Sequence, residues 1–241
     1  MDDNSNNFLL RVGVREVEAA FRPVGGFAPA IGCMDERVIR LSETDSRSPM
    51  VRLAGAGGLI GPDLASAVLE MTDVVRRLKL KYVAYHSDCG AGELMARVGG
   101  KHPSEGDDLA REFAESVAKT ACVKTVRSPL DGPVGHHVAL CHYYCGVPFA
   151  PHMVTELPTG FVTSRFVTDG EYGKRELVIA AGIALGEHGL GQFSTKSPYR
   201  IVVVATNGEE LARLLVEARA AVTSLPARMR RRIAVEGFVA S

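Results

Sequence analysis

In the stretch AIGCMDERVIRL, residues 30–41, a thiol, a carboxylate and a guanidinium stand at alternate positions: Cys33, Asp35 and Arg37. Further along, HSDCGAGE places His86 and Cys89 in an H-x-x-C pair. Each set follows a short apolar run that reads as a buried strand, and in open α/β sheets ligands bind beyond the carboxyl ends of the strands. If the two strands are neighbours, two thiols and one imidazole converge at one edge of the sheet. That is a zinc-type donor set, and three protein ligands leave the fourth tetrahedral position open, the mark of catalytic rather than structural zinc. Taken singly the residues say little: a lone cysteine at a strand end is usually a small buried residue. Their joint occurrence at strand ends favours a metal over simple burial.

A metal so held would do hydrating or hydrolytic chemistry. Zinc is a Lewis acid that lowers the pKa of bound water from about 16 to about 7. Two thiolates donate more charge than neutral imidazoles and by themselves raise that value, so an acceptor that orients the water becomes useful. Asp35 is the candidate. Arg37, two residues on, can pair with it bidentately and keep the carboxylate off the metal.

The elements that must position these groups follow from periodicity. GGFAPAIGC, PMVRLAG, KYVAYH and CVKTVRS read as strands. Between them, apolar residues at helical spacing mark helices over 61–80, where Pro62 suits the first turn, and over 106–121, with a short helix opening at Asp88. This alternation predicts an α/β fold: a mostly parallel central sheet flanked by helices. HHVALCHYYCGV alternates like a further strand after a Pro/Gly-rich turn. Residues 146–241 are expected as an additional C-terminal α/β layer packed on the zinc domain of residues 1–145. Its parts are a turn-rich stretch over 146–173, a helix over 174–187, the strand YRIVVVAT and a helix over 208–224. A helical face at residues 6–21 (Leu9, Val12, Val17, Phe21) precedes the first strand and needs a partner surface. No internal repeat or low-complexity segment is visible.

Composition excludes several classes. Lys plus Arg and Asp plus Glu number 28 each, so no global field favours nucleic acid or an acidic membrane. The basic run Arg228, Arg230, Arg231 and Arg232 lacks interleaved aromatics and reads as a solvated helix end. The start, MDDNSNNFLL, lacks the basic and apolar regions of a signal peptide, and no apolar run reaches membrane-spanning length. Five cysteines in such a chain suggest reduced thiols or metal ligands and a cytoplasmic location.

Three other patterns compete for attention. The turn AGAGGLIG spaces Gly55, Gly57 and Gly61 as G-x-G-x-x-x-G, off the dinucleotide fingerprint, and close backbone approach to a metal pocket explains it as well. In HHVALCHYYC, His137, Cys141 and Cys145 share one strand face, and His136 and His142 the other. A half-buried polar strand accounts for them more simply than a second zinc. Glu187 and His188 sit at a helix end, where an imidazole meets the negative dipole terminus.

The segments CMDER, VRLAGAGG and HSDCGAGE together resemble the three signature segments of β-class carbonic anhydrases: C-x-D-x-R, an R-x-A-G turn and H-x-x-C-G. The resemblance covers roughly residues 25–145, and it implies that the last strand of that stretch, HHVALCHYYC, runs antiparallel. It implies a zinc ion on Cys33, His86 and Cys89, an Asp35–Arg37 dyad beside it, and Ala54, Gly55 and Gly90 against the substrate. It further implies hydration of carbon dioxide to bicarbonate, and a homodimer or higher homo-oligomer in which helix 6–21 is a plausible swapped arm. Glu36 stands where the family usually has a small residue, and Leu53 replaces a polar one. These departures bear on the substrate, since branches of this architecture hydrolyse carbonyl sulfide or carbon disulfide and some relatives show no activity; the alternatives are a zinc hydrolase of such a substrate or a catalytically silent zinc-binding regulatory protein.

Overall fold

A computed structural model describes residues 30–35, 50–128, 141–147, 158, 160–186 and 193–239 of the chain. Helix 6–21, Glu36, Arg37, His136, His137, Glu187 and His188 lie outside the described residues. The architecture is α/β, with two parallel four-stranded sheets flanked by helices.

The first sheet holds β1 (Ala30–Cys33), β2 (Val51–Leu53), β3 (Tyr82–Tyr85) and β4 (Lys124–Arg127) in the order β2-β1-β3-β4. Parallel neighbours require crossovers; helix α1 (Leu64–Arg77) lies between β2 and β3, and helices α2 (Gly90–Val98) and α3 (Gly106–Ala121) lie between β3 and β4. Local chemistry sets their ends. Asp63 caps α1 by accepting from Ser66 N at 2.8 Å. Cys122 closes α3 in the left-handed conformation, φ 61°. Ile31, Leu53, Val83, Met71, Phe113 and Val117 are fully buried together as the core of this unit.

The second sheet holds β5 (Cys141–Cys145), β6 (Gly160–Ser164), β7 (Tyr199–Ala205) and β8 (Ile233–Val239) in the order β6-β5-β7-β8. Helices α4 (Gly170–Leu185), α5 (Gly208–Ser224) and the single turn α6 (Ala227–Arg230) connect its later strands. β7 is buried along nearly its whole length, which explains its unbroken apolar run. Arg165, just after β6, holds Glu217 of α5 through two hydrogen bonds, and the Tyr144 hydroxyl donates to the same carboxylate.

Two expectations need correction here. The strand at Cys141–Cys145 does not run antiparallel on the first sheet. It runs parallel at the centre of the second sheet, between β6 and β7. A strand, β6, occupies part of the stretch read as turns, and β8 follows the last expected helix.

A relation invisible in the sequence emerges from the topology. Numbered within each unit, both sheets have the order second, first, third, fourth. Each second strand ends level with the last residue of its central strand, Leu53 with Cys33 and Ser164 with Cys145. Each is followed at once by a short 3-10 turn, Ala54–Gly57 in one unit and Arg165–Val167 in the other. The edges β2 and β6 face each other. Val162 N donates to Met34 O at 3.1 Å, and Arg52 N donates to Ser164 Oγ at 2.8 Å.

Candidate metal centre

The order β2-β1-β3-β4 reverses direction between β1 and β3, and the crevice there opens at their carboxyl ends. Cys33 is the last residue of β1, His86 follows β3, and Cys89 caps α2. The structure brings these three together. Their ligand atoms all lie within 4.8 Å of one another, and all three residues are buried. The Cys33 and Cys89 sulfurs are 3.9 Å apart and unbridged. Two zinc–sulfur bonds of about 2.3 Å at a tetrahedral angle would place them roughly 3.8 Å apart.

His86 is oriented for the same role. Its Nδ1–H donates to the Ser87 carbonyl at 2.8 Å, which leaves the Nε2 lone pair facing inward. Nε2 is buried and has no hydrogen-bond partner. A buried imidazole nitrogen without a partner is costly unless something occupies it, and a cation fits. The hydrogen bond to Cys89, together with burial, pushes the Cys33 thiol well above its usual range. A divalent ion relieves that opposition by binding both sulfurs as thiolates.

The loop that carries Cys89 is held from α3. Asp107 accepts from Asp88 N at 3.0 Å and from Cys89 N at 3.1 Å. It can do so because α2 and α3 start almost in contact: a Cβ on Gly92 would lie 2.4 Å from the Gly106 carbonyl oxygen. Cys89 also sits at the positive end of α2, which favours a thiolate.

Asp35 is 1% exposed and its Oδ2 lies 3.8 Å from His86 Nε2. One half of the expected dyad is therefore beside the donor set. Arg37 is outside the described residues. A different guanidinium stands in the site: Arg52 of β2, 3% exposed, donates from Nη1 to the Cys33 carbonyl at 3.3 Å and the Asp35 carbonyl at 3.4 Å. Burial lowers its pKa to about 10, against the opposing pull of Cys33 and Asp35, so it stays cationic at neutral pH. Two thiolates, one carboxylate, one guanidinium and a divalent ion sum to zero charge. The sequence alone gives Arg52 no role beyond the first position of the R-x-A-G turn; a basic residue inside a short buried strand is the available signal.

Ala54 and Gly55 open the turn after β2, with Gly55 in the left-handed region at φ 55°. Gly90 is the first residue of α2, next to Cys89. The Ala54 N–H is committed to Glu176 Oε1 of α4 at 2.5 Å. Glu176 is wholly buried and was missed, because its partner is distant in sequence.

The second polar cluster does not assemble in the same way. Among the described residues only Cys33, His86 and Cys89 group as metal donors. Cys141 donates to the Pro158 carbonyl, and His142 Nε2–H donates to Thr163 Oγ1 at 2.9 Å. Burial lowers the His142 pKa to about 3, so it is neutral.

No protein-family model, no curated protein and no solved structure matches this chain. Among the described residues, no helix is long and apolar enough to cross a membrane.

Proposed function

We propose that the protein is a zinc enzyme that hydrates carbon dioxide to bicarbonate. The observation that carries this reading is the buried Cys33–His86–Cys89 set, with the inward, unpartnered His86 Nε2 and the Asp35 carboxylate 3.8 Å from it. Zinc bound there would supply Lewis acidity and a water acidified to near neutrality. The chain's own residues do the rest. Cys33, His86 and Cys89 would hold the ion. Asp35, beside the donor set, would accept a hydrogen bond from the attacking water and orient it toward a small linear substrate. Arg52 holds the strand end that carries Asp35 in place through the Cys33 and Asp35 carbonyls, and Arg37 is proposed as the partner of that carboxylate. The backbone of Ala54, Gly55 and Gly90 lines the approach without bulk. Five free cysteines are in keeping with a reducing compartment, and we assign the protein to the cytoplasm.

Stopped-flow carbon dioxide hydration by zinc-replete protein is the test. Wild type should turn over, and Asp35→Asn should keep its zinc while losing at least about a hundredfold in rate, because an amide is a weaker acceptor and takes no proton. Full zinc with no carbon dioxide hydration would overturn the substrate assignment. Turnover of carbonyl sulfide or carbon disulfide instead would mark a hydrolase, and turnover of none of them a silent zinc-binding protein.

A further inference from the structure

The two units share a strand order, and the register allows their positions to be matched. Cys145 ends β5 level with Ser164, as Cys33 ends β1 level with Leu53. The pairing of Tyr143 with Val202 corresponds to that of Ile31 with Val83, which puts Ala205 at the position of His86. The next helix is capped by Asn207, where α2 is capped by Cys89. One thiol of the donor set is therefore kept in the second unit and the other two ligands are replaced. The corresponding crevice is also filled. Glu210 takes the Thr206 N–H and hydroxyl at 2.8 and 2.6 Å, and a Cβ on Gly146 would meet Glu210 at 2.7 Å and Leu214 at 2.9 Å.

What the second unit does offer is a row of contacts across the facing edges to the first. Val162 N donates to the Met34 carbonyl, one residue past Cys33, and Ser164 Oγ accepts from Arg52 N. Glu176 accepts from Ala54 N. That carboxylate is itself held by the Tyr172 hydroxyl on Oε1 at 2.6 Å and by the Thr163 hydroxyl on Oε2 at 2.8 Å, with His142 donating to Thr163 behind it. A wholly buried carboxylate carries a desolvation cost that core packing alone does not require. Three donors converge on this carboxylate, and one of them is the backbone N–H of Ala54, in the turn beside the metal centre.

We propose that the second unit is a metal-free counterpart of the first that serves as its permanent partner, with Glu176 as the positioning residue through which it holds the Ala54–Gly55 turn against the metal centre. The proposal rests on the zinc reading for the purpose of that turn, and on geometry alone for the hold itself. Loss of Glu176 frees the Ala54 N–H and lets the turn open locally, while the three metal ligands, all in the first unit, stay in place.

Backbone hydrogen exchange on the zinc-loaded full-length protein, read with its zinc content, tests this. Glu176→Ala should keep about one zinc per chain and speed exchange in residues 53–58 by about tenfold or more, as loss of a charge-assisted hydrogen bond implies, with exchange elsewhere unchanged. Glu176→Gln, which can still present an oxygen to Ala54 N, should restore protection. Glu176→Asp, with the carboxylate drawn back by one methylene, should reproduce the local opening and stands in if the alanine variant does not fold. Wild-type exchange at 53–58 in both shortened variants would overturn the proposal, and so would an increase spread over the whole molecule. A wild-type protein without zinc would instead sink the zinc reading, with the exchange result at 53–58 still deciding the role of Glu176.

Discussion

At the scale of single residues, the site is defined by groups that cannot be left as they are. His86 Nε2 is buried without a hydrogen bond, and the Cys33 thiol is opposed by its neighbour and by burial. Purified protein should therefore carry about one zinc per chain by elemental analysis. Alanine at Cys33, His86 or Cys89 should each remove most of it, because two remaining ligands do not make a three-donor site. Zinc kept in full by Cys33→Ala would mean the ion is held elsewhere. Arg52 makes a different prediction. Arg52→Met keeps much of the side-chain volume but leaves the Cys33 and Asp35 carbonyls without their donor and removes the positive charge beside the thiolates. An unpaired buried acceptor costs about 1–3 kcal/mol, so thermal unfolding should shift down by several degrees and zinc affinity should fall by about tenfold or more. Chelator competition measures the second effect, and unchanged affinity would limit Arg52 to holding the strand end.

At the scale of elements, the centre depends on two helices starting in near contact. Gly92→Ala would drive a methyl group into the Gly106 carbonyl, a backbone atom that has no room to give. The variant should lose about 1–3 kcal/mol, and it should also loosen zinc binding because Asp107 would no longer reach the Cys89 loop. Gly182 in α4 is the matched control. A Cβ there meets nothing within 4 Å, and alanine should raise stability by roughly 0.5–1 kcal/mol through helix propensity. Calorimetry on the two variants reads both signs. The parts of the fold legible in the sequence are those governed by local pattern. The strands at Cys33 and Tyr82, the helices with Met71 and Phe113, and the H-x-x-C pair all announce themselves by spacing and strand ends. What stayed hidden was set by distant partners. β6 is a short strand, GFVTS, that looks like a turn until β5 pairs with it. CHYYC reads as the last strand of the first sheet because nothing local distinguishes the centre of one parallel sheet from the last strand of another. The shared strand order shows no sequence repeat: at the positions that match His86 and Cys89 the second unit has Ala205 and Asn207.

At the scale of the whole molecule, one buried carboxylate links stability to pH. Burial raises the folded Glu176 pKa from 4.5 to about 7, against the three donors on it from Tyr172, Thr163 and Ala54, with neutral His142 behind Thr163. The folded chain then keeps this proton where the unfolded chain has lost it, so its contribution to stability is greatest at low pH. That contribution declines as pH rises from about 4.5 through about 7, by a total of the order of 3 kcal/mol. Glu176→Gln has no such proton. The stability of wild type relative to this variant should fall across that window in unfolding titrations, and a flat difference would show that Glu176 ionises freely. The facing edges of β2 and β6 have a consequence of another kind. Where a site is completed by a separate subunit, its working form is governed by mass action and is lost below the dissociation constant. Here Glu176 reaches Ala54 within one chain, so its local concentration at the turn is set by the fold and not by the solution. The turn should stay in place, and activity per mole of chain should hold level, as the protein is diluted from micromolar to picomolar.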